Sequence, residues 1–267
     1  MSTAQAIRTL TVVGSKGKMG RMIVARCRKE GLACHELDQP LDEAEARRVL
    51  PRSDLVLLCV PAQALTEVLA WLKPMIPKGT IVADICSVKV RPMDEMLALH
   101  QGPVVGTHPL FGPVPPEGEP LRVAVCHGRG EEACRQATEL MARLGFAPFN
   151  ADAHDHDRAM AYVQGLNFVT TVAYLASQAN HEEFARYLTP SFMRRLESAR
   201  KLILEDAGLF RLLFEANPYS LEAVRSYRNY LNVAAGGDLE LLVERAKGWW
   251  PDGGKPGGAK GFSRGKK

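Results

Sequence analysis

Short apolar runs alternate with amphipathic segments along the first 150 residues of the chain. Runs rich in Val, Ile and Leu predict buried strands, and apolar residues three to four positions apart predict helices. The predicted strands are 10–13, 31–38, 55–61, 79–87, 103–108 and, last, 121–126; the predicted helices are 21–28, 41–47, 62–72, 91–100 and 131–144. Continuous apolar runs are typical of parallel strands covered on both faces. The pattern therefore predicts an α/β domain with a mostly parallel sheet over residues 1–150.

The pattern changes after Asn150, where helical periodicity continues without a convincing strand. Predicted helical stretches cover 156–180, 184–214 and 220–249, with breaks at Thr189-Pro190, Asn217-Pro218 and Gly236-Gly237. This pattern predicts an all-α domain over residues 151–250. Because such helices cannot be polar on every face, we expect the domain to form a homodimer.

A glycine turn joins the first predicted strand to the first predicted helix. Its residues are Gly14, Ser15, Lys16, Gly17, Lys18, Met19 and Gly20. In the G-x-G-x-x-G frame that ends at Gly20, Ser15 occupies the first glycine position and Gly14 stands one place earlier. Glycines allow a tight turn and the close approach of a pyrophosphate, which the start of the helix binds through free N–H groups. The turn predicts a Rossmann-like dinucleotide-binding fold, although an ordinary strand–helix turn has the same local pattern.

Asp38 ends the second predicted strand, 18 residues after Gly20. This spacing is close to the ~20 residues expected for the carboxylate that binds an adenosine ribose. Because an acid at this place repels a 2′-phosphate, the sequence favours NAD over NADP as the cofactor. The alternative is that Asp38 is a solvated turn residue.

Composition is that of an ordinary globular protein, with 46% hydrophobic and 24% charged residues. Much of the net charge of +4 comes from residues 255–267, which include five basic residues and no acid. We expect the glycine-rich tail 251–267 to be disordered. Because the tail lacks the interleaved aromatic residues of a stacking surface, we do not expect nucleic-acid binding.

The sequence contains no signal-peptide pattern and no run near the ~18 apolar residues of a membrane helix. Its six cysteines show no metal-ligand spacing. Four of them fall in predicted strands and are expected to be small apolar core residues: Cys34, Cys59, Cys86 and Cys126. These features predict a cytoplasmic protein without a membrane partner.

Two polar side chains stand at the ends of predicted strands, where open α/β sheets gather their reactive groups. Glycines and prolines flank His108 within 106–113, which predicts a rigid loop that fixes the imidazole. A neutral histidine can accept a proton from an alcohol while a hydride leaves the same carbon. The alternative is a histidine that only hydrogen-bonds its loop. Ser87 is expected either to contact a substrate or to cap the next helix. Asp84 and Lys89 are expected to form an ion pair at the surface.

The helical half contains two further groups of polar residues. Segment 153–158 has two histidines, but residues two apart do not share a helix face, so we expect no metal site there. Asp155 or Asp157 is expected to cap the helix that begins at this point. Arg225 and Arg228 are three apart and share a face. Arginine suits bidentate carboxylate binding, although position alone favours a solvated basic face.

Taken together, these residues resemble the prephenate dehydrogenase family of tyrosine biosynthesis. The resemblance covers the chain up to about residue 250. Its marks are the glycine turn 14–20, the strand 54–61, D-I-C-S-V-K at 84–89, G-T-H-P-L-F-G-P at 106–113, and H-D-R-A-M-A at 156–161 with Gln164 after it. The last two segments look like the family blocks G-x-H-P-M-F-G-P and H-D-x-x-M-A.

The resemblance implies an activity and a set of site residues. Prephenate would be oxidised to 4-hydroxyphenylpyruvate, with NAD taking the hydride and the ring carboxylate leaving as carbon dioxide. His108 would accept the hydroxyl proton, and Ser87 would hydrogen-bond the same hydroxyl or His108. Arg228 matches the arginine that binds a substrate carboxylate, and Gln164 matches a substrate-binding position. The implied cofactor-binding residues are 14–20, Asp38, Val60 and Pro61.

One departure from the family concerns Phe168, which stands where a second histidine often follows the glutamine. Prephenate and arogenate therefore both stay possible substrates, since they differ only in a side-chain keto or amino group. Two other hypotheses are a reductase of the β-hydroxyacid or imine class and a non-catalytic NAD(H)-sensing protein. The intact loop around His108 disfavours both.

Overall fold

A seven-stranded sheet organises the amino-terminal part of the computed structural model, which describes residues 6–115, 118–177 and 181–251. The strands are β1 (Thr9–Val13), β2 (Ala33–Leu37), β3 (Leu55–Leu58), β4 (Ile81–Asp84), β5 (Val104–Pro109), β6 (Arg122–Arg129) and β7 (Ala147–Ala151). Their order across the sheet is β2-β1-β3-β4-β5-β6-β7. Neighbouring strands are parallel except β5 and β6, which are antiparallel. The predicted Rossmann-like, mostly parallel fold is therefore confirmed.

Helices surround the sheet and continue beyond it. They are α1 (Lys18–Lys29), α2 (Glu43–Val49), α3 (Ala62–Leu72), α4 (Val90–Leu99), α5 (Glu131–Arg143), α6 (Ala153–Met160), α7 (Asn167–Ala176), α8 (His181–Phe184), α9 (Pro190–Leu204), α10 (Ala207–Ala216), α11 (Ser220–Ala235) and α12 (Leu239–Lys247). A π-helical segment, Ala161–Leu166, joins α6 to α7. Short 3-10 turns occupy Leu50–Arg52, Lys73–Met75 and Ala185–Tyr187.

The sheet is buried on both faces, as the continuous apolar runs predict. Leu55 and Leu57 of β3 pack with α1 and α5, whereas Val56 and Leu58 pack with α2, α3 and α4. All four side chains are fully buried. Burial of such a side chain stabilises the fold by about 1.5–3 kcal/mol, so the two apolar layers hold the strand ends in register.

Strand β7 was not predicted. Its sequence, Ala147-Pro148-Phe149-Asn150-Ala151, contains a proline and an asparagine and lacks an apolar run. It pairs with β6 at the edge of the sheet, where one side of the strand needs no hydrogen-bond partner. Proline is tolerated at such an edge. The pairing therefore comes from the packing of α5 and β6 and not from local strand propensity.

The predicted helical half contains helices from Ala153 onward, but its contacts group differently from the predicted domains. The compact units divide between Ser220 and Leu221, so α6 to α10 belong to the same unit as the sheet. A domain boundary at residue 150 stays a prediction. Among the described residues, no helix has the length and apolar character needed to cross a membrane. The predicted disordered tail lies outside the described residues from residue 252 onward.

Candidate active site

The parallel strands β1 to β5 end at one edge of the sheet, and most of the predicted site residues follow those ends. The glycine turn follows β1, and His108 lies near the end of β5. The other strands are followed by Asp38 (β2), Val60 and Pro61 (β3) and Ser87 (β4). Two strands, β3 and β4, separate β1 from β5, so their ends are about 14 Å apart at ~4.8 Å per strand. The fold thus brings these predicted residues to one edge.

The glycine turn has the close backbone contacts expected of a phosphate cradle. Gly14 has φ +85°, and a Cβ there would lie 2.4 Å from the Cys59 carbonyl oxygen. A Cβ on Gly20 would lie 2.2 Å from the Gly14 carbonyl oxygen. Helix α1 begins directly after Gly17, with neither a side-chain cap nor an acidic residue in its first turn. Its first N–H groups are therefore available to an anion, and the turn fits a dinucleotide pyrophosphate.

The carboxylate of Asp38 points back to the glycine turn. It accepts hydrogen bonds from the backbone N–H of Lys16 at 2.6 Å and of Gln39 at 2.8 Å. A carboxylate has about four acceptor positions, so these two bonds orient Asp38 and leave acceptor capacity for ribose hydroxyls. This arrangement fits the predicted role of Asp38 in holding an adenosine ribose.

Replacing Gly20 with alanine should weaken both the fold and nucleotide binding. The added methyl would push α1 away from Gly14, and overpacking of this kind costs about 1–3 kcal/mol. Urea unfolding measures the first effect, and calorimetric titration with NAD measures the second. Gly79→Ala is the matched control, because a methyl group added at Gly79 would meet no atom of the described residues within 4 Å. Equal behaviour of the two variants would contradict the cradle.

A buried chain of three side chains begins at His108. His108 Nδ1 lies 2.9 Å from His156 Nε2, and His156 Nδ1 lies 2.8 Å from Asp157 Oδ1. The three residues are at most 5% exposed. His108 comes from β5 and the other two from α6, so the packing of α6 against the sheet builds the chain.

Neither Asp155 nor Asp157 caps α6, which corrects the sequence prediction. The cap of α6 is Asp152, which accepts hydrogen bonds from the backbone N–H groups of His154 and Asp155. Asp157 instead accepts from the backbone N–H of Lys89 at 2.7 Å and of Val90 at 2.9 Å, at the start of α4. The first turn of α4 favours a negative charge, so it holds this buried carboxylate.

Lys89 and Asp84 pair, but in the interior and not at the predicted surface. Both side chains are fully buried, with 2.5 Å between Lys89 Nζ and Asp84 Oδ2. Lys89 also donates to the Thr107 carbonyl at 2.7 Å, and Asp84 accepts from the backbone N–H of Cys86 at 2.9 Å. The pair therefore ties the loop after β4 to the strand that holds His108.

The surroundings of His108 favour the neutral imidazole. Burial lowers the pKa of His108 well below its ordinary value, and the nearby charge of Lys89 lowers this pKa further. A neutral histidine has one unprotonated ring nitrogen at physiological pH. The arrangement can therefore accept a proton from a bound substrate.

Comparison with known proteins identifies the family. Residues 23–118 match the family model described as prephenate dehydrogenase, nucleotide-binding domain. The T-protein of Enterobacter agglomerans is 30% identical over 257 residues, which cover 92% of this chain and 68% of that protein. The chain belongs to the prephenate dehydrogenase family. It is a dehydrogenase with a nucleotide-binding domain.

Solved structures share the fold of this dehydrogenase. The prephenate dehydrogenase of A. aeolicus in complex with hydroxyphenyl propionate and NAD+ superposes with a TM-score of 0.74 at 18% identity, covering 92% of this chain and 96% of that one. Synechocystis arogenate dehydrogenase gives a TM-score of 0.72 at 16% identity, covering 90% of this chain and 98% of that one. At such identities the likeness concerns the fold alone.

The structure places the other predicted site residues of the dehydrogenase in separate elements. Ser87 is partly exposed and does not cap α4, whose N-cap is Lys89. Gln164 is partly exposed in the π-helical segment, a feature frequent at functional sites. Arg228 is exposed on α11 in the second compact unit. The roles of all three stay predictions.

Sequence analysis did not place His156 or Asp157 in the site. The H-D-R-A-M-A segment marked them as part of a family block, but either Asp155 or Asp157 was interpreted as a helix cap. The true partner of Asp157 lies 68 residues earlier in the chain, and no local pattern encodes that contact. The one available signal was the adjacent His-Asp pair itself, in which the acid can orient the imidazole.

Proposed function

We propose that this dehydrogenase oxidises prephenate to 4-hydroxyphenylpyruvate with NAD. The observation that supports it is His108, a buried base with a lowered pKa at the same sheet edge as the glycine turn. His108 accepts the proton of the ring hydroxyl, so negative charge does not build up on that oxygen. The ring carboxylate leaves as carbon dioxide because its loss makes the ring aromatic. NAD, when bound, supplies the hydride acceptor.

The chain's own residues provide binding and orientation. Residues 14–20 and Asp38 hold the cofactor, with Val60 and Pro61 lining its site after β3. The Ser87 side chain is partly exposed after β4, so its hydroxyl can bond the substrate hydroxyl. Gln164 contributes a polar contact from the π-helical segment. The acid at Asp38 supports NAD over NADP, because it disfavours a 2′-phosphate.

Arg228→Ala should raise KM for the substrate by about 10-fold or more and change kcat less. A charge-assisted hydrogen bond to a carboxylate is worth about 1.5–3 kcal/mol, and the substrate carboxylate would lose it. Steady-state kinetics with varied substrate measures the effect. Arg225→Ala is the control, since Arg225 is exposed on the same helix. Equal KM values for Arg228→Ala and the parent would remove Arg228 from the substrate site.

We also propose that the chain forms a homodimer through its helical part. Helices α7 and α10 contain no buried residue, although both are rich in apolar side chains. Exposed apolar residues of this region include Val163, Met193, Leu204 and Leu209. Such a surface is typical of an interface. Light scattering should give twice the 29.3 kDa chain mass, and a monomer would contradict this proposal.

The six free cysteines support a cytoplasmic location.

The deciding test follows absorbance at the NADH band with purified protein. Prephenate and arogenate are each supplied with NAD or with NADP. Reduction with prephenate and NAD supports the proposal and the role of Asp38 together. Reduction only with arogenate keeps the chemistry but changes the substrate, and points to the region of Phe168, which stacks on Phe210 at 5.7 Å. No reduction in any mixture would favour the NAD(H)-sensing alternative.

A further inference from the structure

The contact between His108 and His156 requires one donor and one acceptor. At 2.9 Å between His108 Nδ1 and His156 Nε2, a proton lies on one nitrogen and a lone pair on the other. A neutral imidazole has one N–H and one unprotonated nitrogen. The tautomer of either ring therefore fixes the tautomer of its neighbour.

Asp157 determines where this chain of hydrogen bonds begins. Its carboxylate is an acceptor, so the Nδ1 of His156, 2.8 Å away, must donate to it. The same carboxylate accepts two backbone N–H groups at the start of α4, which stabilise its negative charge. The negative charge of Asp157 is therefore stabilised by the start of α4 as well as by the Nδ1–H of His156.

We propose that Asp157 and His156 are positioning residues that set His108 as its Nδ1–H tautomer, which makes Nε2 the atom that accepts the substrate proton. When His156 is neutral and carries its single proton on Nδ1, its Nε2 accepts and the Nδ1 of His108 donates. The lone pair of His108 is then on Nε2, the ring nitrogen not engaged by His156. This inference rests on the proposed role of His108 as the base.

The position of Asp157 is itself fixed by the protein. Asn217 donates to the Asp157 backbone carbonyl at 2.7 Å and is 7% exposed. The start of α4 holds the carboxylate from the other side. The acceptor therefore has one orientation, as a positioning role requires.

Long-range proton–nitrogen NMR of the 15N-labelled protein tests the tautomer directly, without an activity measurement. Signals are assigned with His108→Asn and His156→Gln variants. At neutral pH, we expect His108 to carry its proton on Nδ1 and His156 to carry its proton on Nδ1. A proton on Nε2 of His108, or protons on both nitrogens of His156, would overturn the proposal. Because this readout needs no turnover, it is independent of whether prephenate is the substrate.

A variant tests the consequence. Asp157→Asn replaces a carboxylate oxygen with an N–H donor, which then faces the groups that donate to Asp157. This change disfavours the Nδ1–H form of His156. We therefore expect a shift of the His108 tautomer and a fall in kcat of roughly 10²- to 10⁴-fold. Asp155→Asn, which removes the exposed carboxylate paired with Arg158 on the same helix, is the matched control and should change neither. An Asp157→Asn protein that folds with parent kcat and an unchanged His108 tautomer would also overturn the proposal.

Discussion

Replacing His108 with asparagine should lower kcat by about 10²- to 10⁴-fold, the range in which a positioned general base contributes. Asparagine keeps a polar group near the end of β5 but cannot accept the substrate proton at neutral pH. The predicted cofactor residues follow β1, β2 and β3, whereas His108 lies near the end of β5. The affinity for NAD, measured by calorimetric titration, should therefore be unchanged, and full turnover by this variant would refute the role of His108.

The pH dependence gives the same residue a second test. Burial and the nearby Lys89 both lower the pKa of His108. The base therefore stays unprotonated below the ordinary histidine range near 6.5, and kcat/KM should fall only when the pH drops through this lowered pKa. We expect the acid limb in a pH–rate profile of the parent protein and its absence from the residual rate of His108→Asn. An acid limb at the ordinary value would show that the site is more hydrated than this structure.

Replacing Lys89 with methionine should destabilise the fold by about 3–5 kcal/mol, the cost of leaving one charge of a buried pair without its partner. Lys89 and Asp84 are both fully buried, and Lys89 also satisfies the Thr107 carbonyl. Without the ammonium, Asp84 must be buried as a lone carboxylate or take up a proton. Urea unfolding at neutral pH measures the loss of free energy.

The double variant Asp84→Asn with Lys89→Met separates charge from shape. It removes both charges, and buried pairs replaced by neutral groups are often nearly as stable as the original. We expect it to recover much of the stability lost in Lys89→Met. Arg47→Met is the surface control: Arg47 pairs with Glu43 in solvent, so its loss should change stability far less. If Lys89→Met behaves like Arg47→Met, the buried pair does not stabilise the fold.

Sequence alone predicted most of the nucleotide-binding fold, because the signals are local. Helix α3 was predicted at its observed bounds, from apolar residues at helical spacing and Pro61 before it. Continuous apolar runs marked the parallel strands, and the glycine turn marked the start of α1. Strand β7 was not predicted, because this edge strand contains a proline and lacks the apolar run that marks the other strands.

The candidate site also contains residues that local sequence predicted and contacts that only tertiary packing creates. His108, Asp38 and the glycine turn were found from sequence because glycines, prolines and strand ends lie beside them in the chain. The partners of Asp157 and the burial of Lys89 could not be predicted from sequence, because a side chain's neighbours depend on which elements pack together. Asp157 lies 68 residues after Lys89, and only the packing of α6 against α4 brings them into contact. The sequence by itself determined which groups are present, and the tertiary structure decided which of them lose water and act on one another.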